Sequence, residues 1–468
     1  MVEIKGRYTK ELARYAADLE YDDIPAGIVE HVKRITLNQI GAALSGWTVG
    51  PGSEVFSVLE EQKGVEDATV IGNAVRLPAP NAAAVNATLA WAPMNDDTHV
   101  GALLHSGHNS VPPALAEAEF RGAGGRDYIT AVVASNEVGI RIARAVSPAH
   151  DDDYNSSQLG FWSELRGPFG ASVATGKVLG LDAEQFGHAL GIAATSTSGL
   201  QALGESSPHS GTVYAWEAGK AVLNGMLAAR LAATGMTDGP EPLEGPLGWV
   251  HAYTWGHGRL EWLTEGLGTV YETGRIQLKT RCNSSMVHSL IDAAYELVHE
   301  HGIAPEAVRK VTVRGQQWLR DYLWRRDART YQDAIFSLPF SIALVIVEPG
   351  EMTYPDQVVG RLDDPAVASL MKKIELDVDP SIKFSAEMPG TVTIHTMDGR
   401  VHEKESPTRV RGTYPDRPLE PGELEDKVRR LGRQVLAADR LDHAIERIAK
   451  LETLDTMKDL TRLLQPQA

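Results

Sequence analysis

The segment Asn95-Asp96-Asp97-Thr98-His99 and the following His105-Ser106-Gly107-His108 put two carboxylates, the Thr98 hydroxyl and three imidazoles within 14 residues. Histidine titrates near neutral pH, and a neighbouring carboxylate orients it or raises its pKa, so this composition suits acid/base chemistry. A loop of capping aspartates and solvated histidines is the plainer alternative. A divalent metal is a third, but the spacing of His99, His105 and His108 matches no helical ligand pair such as H-E-x-x-H, and no carboxylate-rich loop follows. No metal site is expected.

A second polar run, Leu278-Lys279-Thr280-Arg281-Cys282-Asn283-Ser284-Ser285-Met286-Val287-His288, leads into a segment of helical pattern carrying Asp292. Lys279 and Arg281 bring positive charge to a change in sequence texture, and Arg suits a two-point grip on a carboxylate. An exposed basic turn would read the same way. Cys282 beside Arg281 is either an activated thiol or a small buried hydrophobe. A third stretch, Gly204 to Gly219, reads GESSPHSGTVYAWEAG. It begins as a polar loop with His209 and continues with Tyr214 and Glu217 on one helical face, so it is either a mobile cover for a site or a helix entry. The chain contains no G-x-G-x-x-G, no G-x-x-x-x-G-K-[ST] and no G-x-S-x-G, which removes the main support for dinucleotide, P-loop and α/β-hydrolase enzymes.

These residues need elements to position them. Up to about residue 265 the chain is rich in Ala and Leu at helical spacing: Leu12, Tyr15, Ala16 and Leu19 share a face, as do Ile28, Val32 and Ile35, and again Ile129, Val132, Val133 and Ile140. Segments 171–181 and 219–235 are dominated by small residues, which lets helices approach closely. From Tyr271 the pattern alternates: 310–314, 374–378 and 391–396 read as half-buried strands, the last running into a Met397-Asp398-Gly399-Arg400 turn. Helices are expected near 292–301 and behind Asp364-Pro365. After Pro421 the pattern is helical and amphipathic to Leu464. The expected architecture is mainly α, with a large helical domain over 1–268, a smaller α+β domain over 269–412, and C-terminal helices over 413–468 returning to the first.

The whole composition is that of a folding globular chain: 468 residues, 43% hydrophobic and 23% charged. Its formal charge of −17 opposes a phosphate backbone, so nucleic acid is not an expected partner. A single cysteine cannot close an intramolecular disulfide, the N-terminus lacks the apolar core of a signal peptide, and the strongly apolar run 342–347 is too short to span a bilayer. These features predict a cytoplasmic protein without a membrane partner.

The run Asn86-Ala87-Thr88-Leu89-Ala90 through Asp96-Asp97-Thr98-His99 to His105 resembles the "DFDDTH…HPG" segment of the MmgE/PrpD family, which includes 2-methylcitrate dehydratase, cis-aconitate decarboxylase and iminodisuccinate epimerase. In the family's order follow Gly167-Pro168-Phe169-Gly170-Ala171, Leu179-Gly180-Leu181, Ala218-Gly219-Lys220-Ala221, Lys279 with His288 and Asp292-Ala293-Ala294, Phe336-Ser337-Leu338-Pro339, and Asp398-Gly399-Arg400. The resemblance implies a helical domain with an α+β lid, a homodimer, a site between the domains and no organic cofactor. It implies a lyase acting on a small polycarboxylate with loss of water or carbon dioxide, an epimerase or isomerase of a dicarboxylate, or an impaired metabolite-binding dimer. On this reading His105, Asp97, Tyr214 and Lys279 are the catalytic candidates, and Asp96, Thr98, Arg281 and His288 the substrate-binding ones. The departures are local: Met94 and Asn95 stand where the family has Asp and Phe, Trp162-Ser163 where it has His-Pro, and Tyr214 and Glu217 where it has Lys and His.

Overall fold

Alanine and glycine set the spacing of the helical part. In the computed structural model, which describes residues 3–147, 160–203 and 211–467, the Ala79–Trp91 helix is buried along nearly its whole length. It lies against the Ala26–Ser45, Ser106–Arg121 and Val213–Ala233 helices. The Gly167–Leu179 helix packs on Val213–Ala233 and on Gly125–Val146. The approach is close enough that a Cβ on Gly225 would sit 2.4 Å from the carbonyl oxygen of Pro168, so a side chain there forces the helices apart. Large residues are then confined to the gaps, where Trp91, Tyr128, Phe169, Phe186 and Tyr214 are fully buried.

The α+β part is built on a four-stranded sheet in the order Ile374–Val378, Val308–Gly315, Thr391–Thr396, Val401–Glu405. The second strand pairs in parallel with the first, Val311 opposite Ile374, and antiparallel with the third, Val311 opposite Ile394. The last two form a hairpin around residues 397–400. Val311, Val313, Val392 and Ile394 face inward, and the His288–His301 helix covers that hairpin. The apolar run becomes the buried Leu338–Val347 helix. Among the described residues, no helix is long and apolar enough to cross a membrane.

Two connections join the parts and position the site. A short antiparallel ladder pairs Asp97 with Leu278 and Thr98 with Gln277, extended where Leu278 N–H donates to the Gly412 carbonyl at 3.0 Å. Gly412 has φ of +93°, and a Cβ there would lie 2.0 Å from the Leu278 oxygen, so glycine is required. The C-terminal helices Glu423–Gly432 and Ala438–Ala449 return to pack on Ala26–Ser45.

Candidate active site

The ladder sets Asp96 and Lys279 side by side. Lys279 N–H donates to the Asp96 carbonyl at 3.0 Å, and Lys279 Nζ reaches Asp96 Oδ1 at 2.8 Å with both side chains fully buried. Asp96 Oδ2 faces two imidazoles, His105 Nδ1 at 3.0 Å and His108 Nδ1 at 3.7 Å. Burial alone would raise the pKa of Asp96, but Lys279 and His105 overcome it and hold the group well below the usual carboxylate range. Asp96 is therefore an anion shared by three cationic or proton-bearing groups.

His105 stands at the N-terminal boundary of the Ser106–Arg121 helix, its side chain turned away from the helix N–H groups. Its Nδ1 lies within reach of Asp96 Oδ2 and, at 2.9 Å, of the Asp97 carbonyl oxygen. Both partners are acceptors, which places the Nδ1 proton and leaves Nε2 for the cavity that His105 lines. Thr98, Met94, Leu103, Trp162 and Ser284 line the same cavity, of about 60 Å³. It adjoins a larger one of about 550 Å³ between the helical and α+β parts, sharing Val100, Ser285 and Ala386 with it. Arg144, Arg275 and Arg409 line the larger cavity.

One helical turn on, His108 donates from Nε2 to Glu164 Oε2 at 2.9 Å. Glu164 also accepts from Asn109 Nδ2 at 3.0 Å. Burial opposes charge on His108, yet Glu164 and Asp96 outweigh it and raise its pKa to about 9. Trp91 stacks obliquely on both histidines, with ring centroids 5.2 Å and 5.1 Å away. Asp97 points away from the cavity: its oxygens accept from Gln39 Nε2 at 2.6 Å and Gly107 N–H at 2.9 Å. Burial and the adjacent Asp96 raise its pKa.

The structure thus gathers His105, Asp96, Thr98 and Lys279: His105 and Thr98 line the cavity, Asp96 and Lys279 are fully buried behind His105, and Asp97 supports them. It does not bring the remaining candidates to the cavity. Tyr214 is fully buried and donates to the Ala92 carbonyl, its ring edge-on to Trp91 and Phe336. Burial pushes its pKa up, so the hydroxyl keeps its proton. Arg281 is turned inward, with Nη2 on Asp292 Oδ1 at 3.0 Å and Nη1 on the Gly350 carbonyl at 2.6 Å. His288 is buried, and burial together with Lys279 and Arg281 holds it well below its usual pKa. The expected positive pocket at 279–281 is accordingly an internal network rather than an open grip. Cys282 is a buried thiol that burial pushes up to about 11. His209 and the loop 204–210 lie outside the described residues.

Sequence reasoning missed Glu164, Gln39 and Lys427 as members of this network. Lys427 carried a readable signal. It falls between Leu424, Val428 and Leu431 on the buried stripe of its helix, where a charged residue needs a partner.

A helical scaffold that closes an α+β part over a buried Asp–His–Lys cluster defines a two-part protein with an internal acid/base centre. The MmgE/PrpD N-terminal domain matches residues 10–259 and the MmgE/PrpD C-terminal domain residues 283–453, and the chain belongs to that family. It is 31% identical over 330 residues to a cis-aconitate decarboxylase of Aspergillus terreus, a match covering 66% of this chain and 63% of that protein. The chain thus spans less than two thirds of that relative's length in this match. It is 24% identical over 491 residues to a cis-aconitate decarboxylase-like protein of Aspergillus oryzae, covering 98% of each. With the human cis-aconitate decarboxylase the identity is 24% over 482 residues, covering 98% of this chain and 94% of that one.

Proposed function

We propose that this protein is a lyase that acts on a small polycarboxylate, releasing carbon dioxide and moving one proton at the carbon left behind. The observation that carries the reading is His105: Asp96 and the Asp97 carbonyl fix its Nδ1 proton, so Nε2 is the nitrogen presented to the cavity. When the carbon–carboxylate bond breaks, its electron pair stays on the substrate carbon, delocalised toward a neighbouring unsaturated group. A proton from His105 Nε2 then quenches it, and Asp96 stabilises the imidazolium before transfer. Lys279 balances the charge of Asp96 rather than gripping substrate. Arg275, exposed at the larger cavity and no closer than 3.4 Å to Glu272, is the cation suited to a remote substrate carboxylate. The relatives named cis-aconitate decarboxylase favour carbon dioxide over water as the group lost.

An epimerase would need carriers on two faces of one carbon. Among the described residues, His105 is the only histidine, lysine or carboxylate lining the smaller cavity, which favours one-sided proton delivery.

Proton NMR in deuterium oxide, with cis-aconitate and a panel of small di- and tricarboxylates, tests the proposal. Loss of substrate with one deuteron in the product is expected, and His105→Gln should lower the rate by roughly 10²–10⁴-fold. If folded protein neither consumes nor exchanges any of these acids, the reading fails in favour of a binding dimer.

A further inference from the structure

Lys427 is fully buried on the C-terminal Glu423–Gly432 helix, more than 140 residues beyond Lys279. Its Nζ lies 2.7 Å from Asn38 Oδ1, 2.9 Å from the Asn95 carbonyl oxygen and 2.7 Å from the Lys279 carbonyl oxygen. An ammonium has three protons, so these contacts use all of them, and all three acceptors are neutral. Asn38 completes the bracket from the other side, its Nδ2 donating to the Asp96 carbonyl at 2.7 Å.

Each backbone carbonyl in this set belongs to Asp96, to its neighbour Asn95, or to Lys279. A buried lysine without a direct carboxylate partner is costly, which makes it unsuitable as mere filling for a helix stripe. A methionine there would pack with less penalty but would leave three buried carbonyl groups short of a donor.

We propose that Lys427 is a positioning residue of the active site, a bracket from the C-terminal helix that holds the backbones of Asp96 and Lys279 together and so sets how Asp96 grips His105. The charged and titratable groups facing Lys427 are Asp96, Asp97, Lys279 and the Cys282 thiol. Those facing His105 are Asp96, His108 and Glu164. Burial lowers the pKa of Lys427 to about 7, and the three acceptors that take its protons work against that loss of charge. Removing it takes a cation from the network and loosens Lys279 from Asp96. Asp96 then leans more fully on His105, and the imidazole binds its proton to higher pH.

The proposal rests on the Asp96–His105 pair assigned above, but its test does not depend on the substrate. Diethylpyrocarbonate acylates only unprotonated imidazole, and fragment mass spectrometry separates His105 from His99 and His108. The rate of His105 acylation against pH therefore gives its titration midpoint directly, in the full chain. Lys427→Met should raise that midpoint by roughly half a pH unit or more, whereas a purely structural residue would lower the melting temperature and leave the midpoint in place. Lys427→Gln, which keeps two donors without charge, supplies the same reading if the methionine variant does not fold. A midpoint unchanged or lowered in a folded variant overturns the proposal, and so does failure of both variants to fold, which assigns Lys427 to the core alone. A negative carboxylate screen with a shifted midpoint would defeat the proposed reaction and leave the bracket standing.

Discussion

Tyr214 occupies the family's lysine position, yet its hydroxyl is committed to the Ala92 carbonyl beneath Trp91. Tyr214→Phe keeps both ring contacts and removes one buried hydrogen bond, which costs about 1 kcal/mol in a denaturation experiment. Turnover should change far less than the roughly 10²-fold or more that follows loss of an acid or base, and a larger drop would return Tyr214 to the reaction. His108 makes the second residue-scale case. Its pKa in the folded chain, about 9, lies above the ordinary value of 6.5, so its charged contacts with Glu164 and Asp96 stabilise the fold fully below about pH 6.5. That contribution, up to about 3 kcal/mol, is lost as pH rises through 9. Lys427 acts in the opposite sense, since its depressed pKa is a penalty relieved as pH rises above 7. The difference between the wild type and Glu164→Gln isolates the histidine: urea midpoints should differ most at pH 6–7 and converge by about pH 10. The residue types of this cluster were legible, because Asp96, Asp97 and His105 stand close together in sequence. Their roles were not. Which aspartate holds His105 depends on the turn between residues 98 and 105, and Glu164 arrives from the Ser163–Arg166 turn, 56 residues beyond His108, a separation no local pattern spans.

At the level of elements, periodicity and turn chemistry carried the reading. The alternation at 310–314, 374–378 and 391–396 corresponds to three of the four sheet strands, and Asp364 caps its helix by accepting from Ala366 N–H at 2.7 Å. The strand order, with 308–315 taking one parallel and one antiparallel neighbour, is a tertiary fact that spacing does not encode. The two-residue ladder between Asp97–Thr98 and Gln277–Leu278 was equally invisible, since no pattern signals a strand that short. Arg281 shows the cost: without knowing that Asp292 lies one turn into the next helix and directly beneath it, a cation near a domain change looks like a ligand grip. The small residues of the 219–235 segment bring its helix close to its neighbours on one side only. One face of the helix packs on its neighbours through Gly225, while Val213, Leu227 and Leu231 are exposed.

For the whole molecule, that exposed face is the consequential feature. Val213, Leu227 and Leu231 lie 14 and 18 residues apart from the first, which places them on one stripe of the Val213–Ala233 helix, with Lys220 and Arg230 beside it. A stripe of aliphatic residues each about two-fifths exposed, on a helix whose other side is fully buried, is unusual for a surface meant to face water. The net charge of −17 opposes casual association, so a second copy must bring enough apolar area to overcome it. A two-fold arrangement sets the same stripe against itself and doubles the area covered. We therefore expect a homodimer burying well over ~2,000 Å², with this helix at its centre. Sedimentation at micromolar concentration should give a species of twice the 50.7 kDa chain. Leu227→Glu with Leu231→Glu places four like charges across the axis and should yield a folded monomer, with the His105 cluster intact because none of its members lies on that face. A wild-type chain that sediments as a monomer would end the expectation, and an unchanged dimer in the double variant would move the interface to another surface.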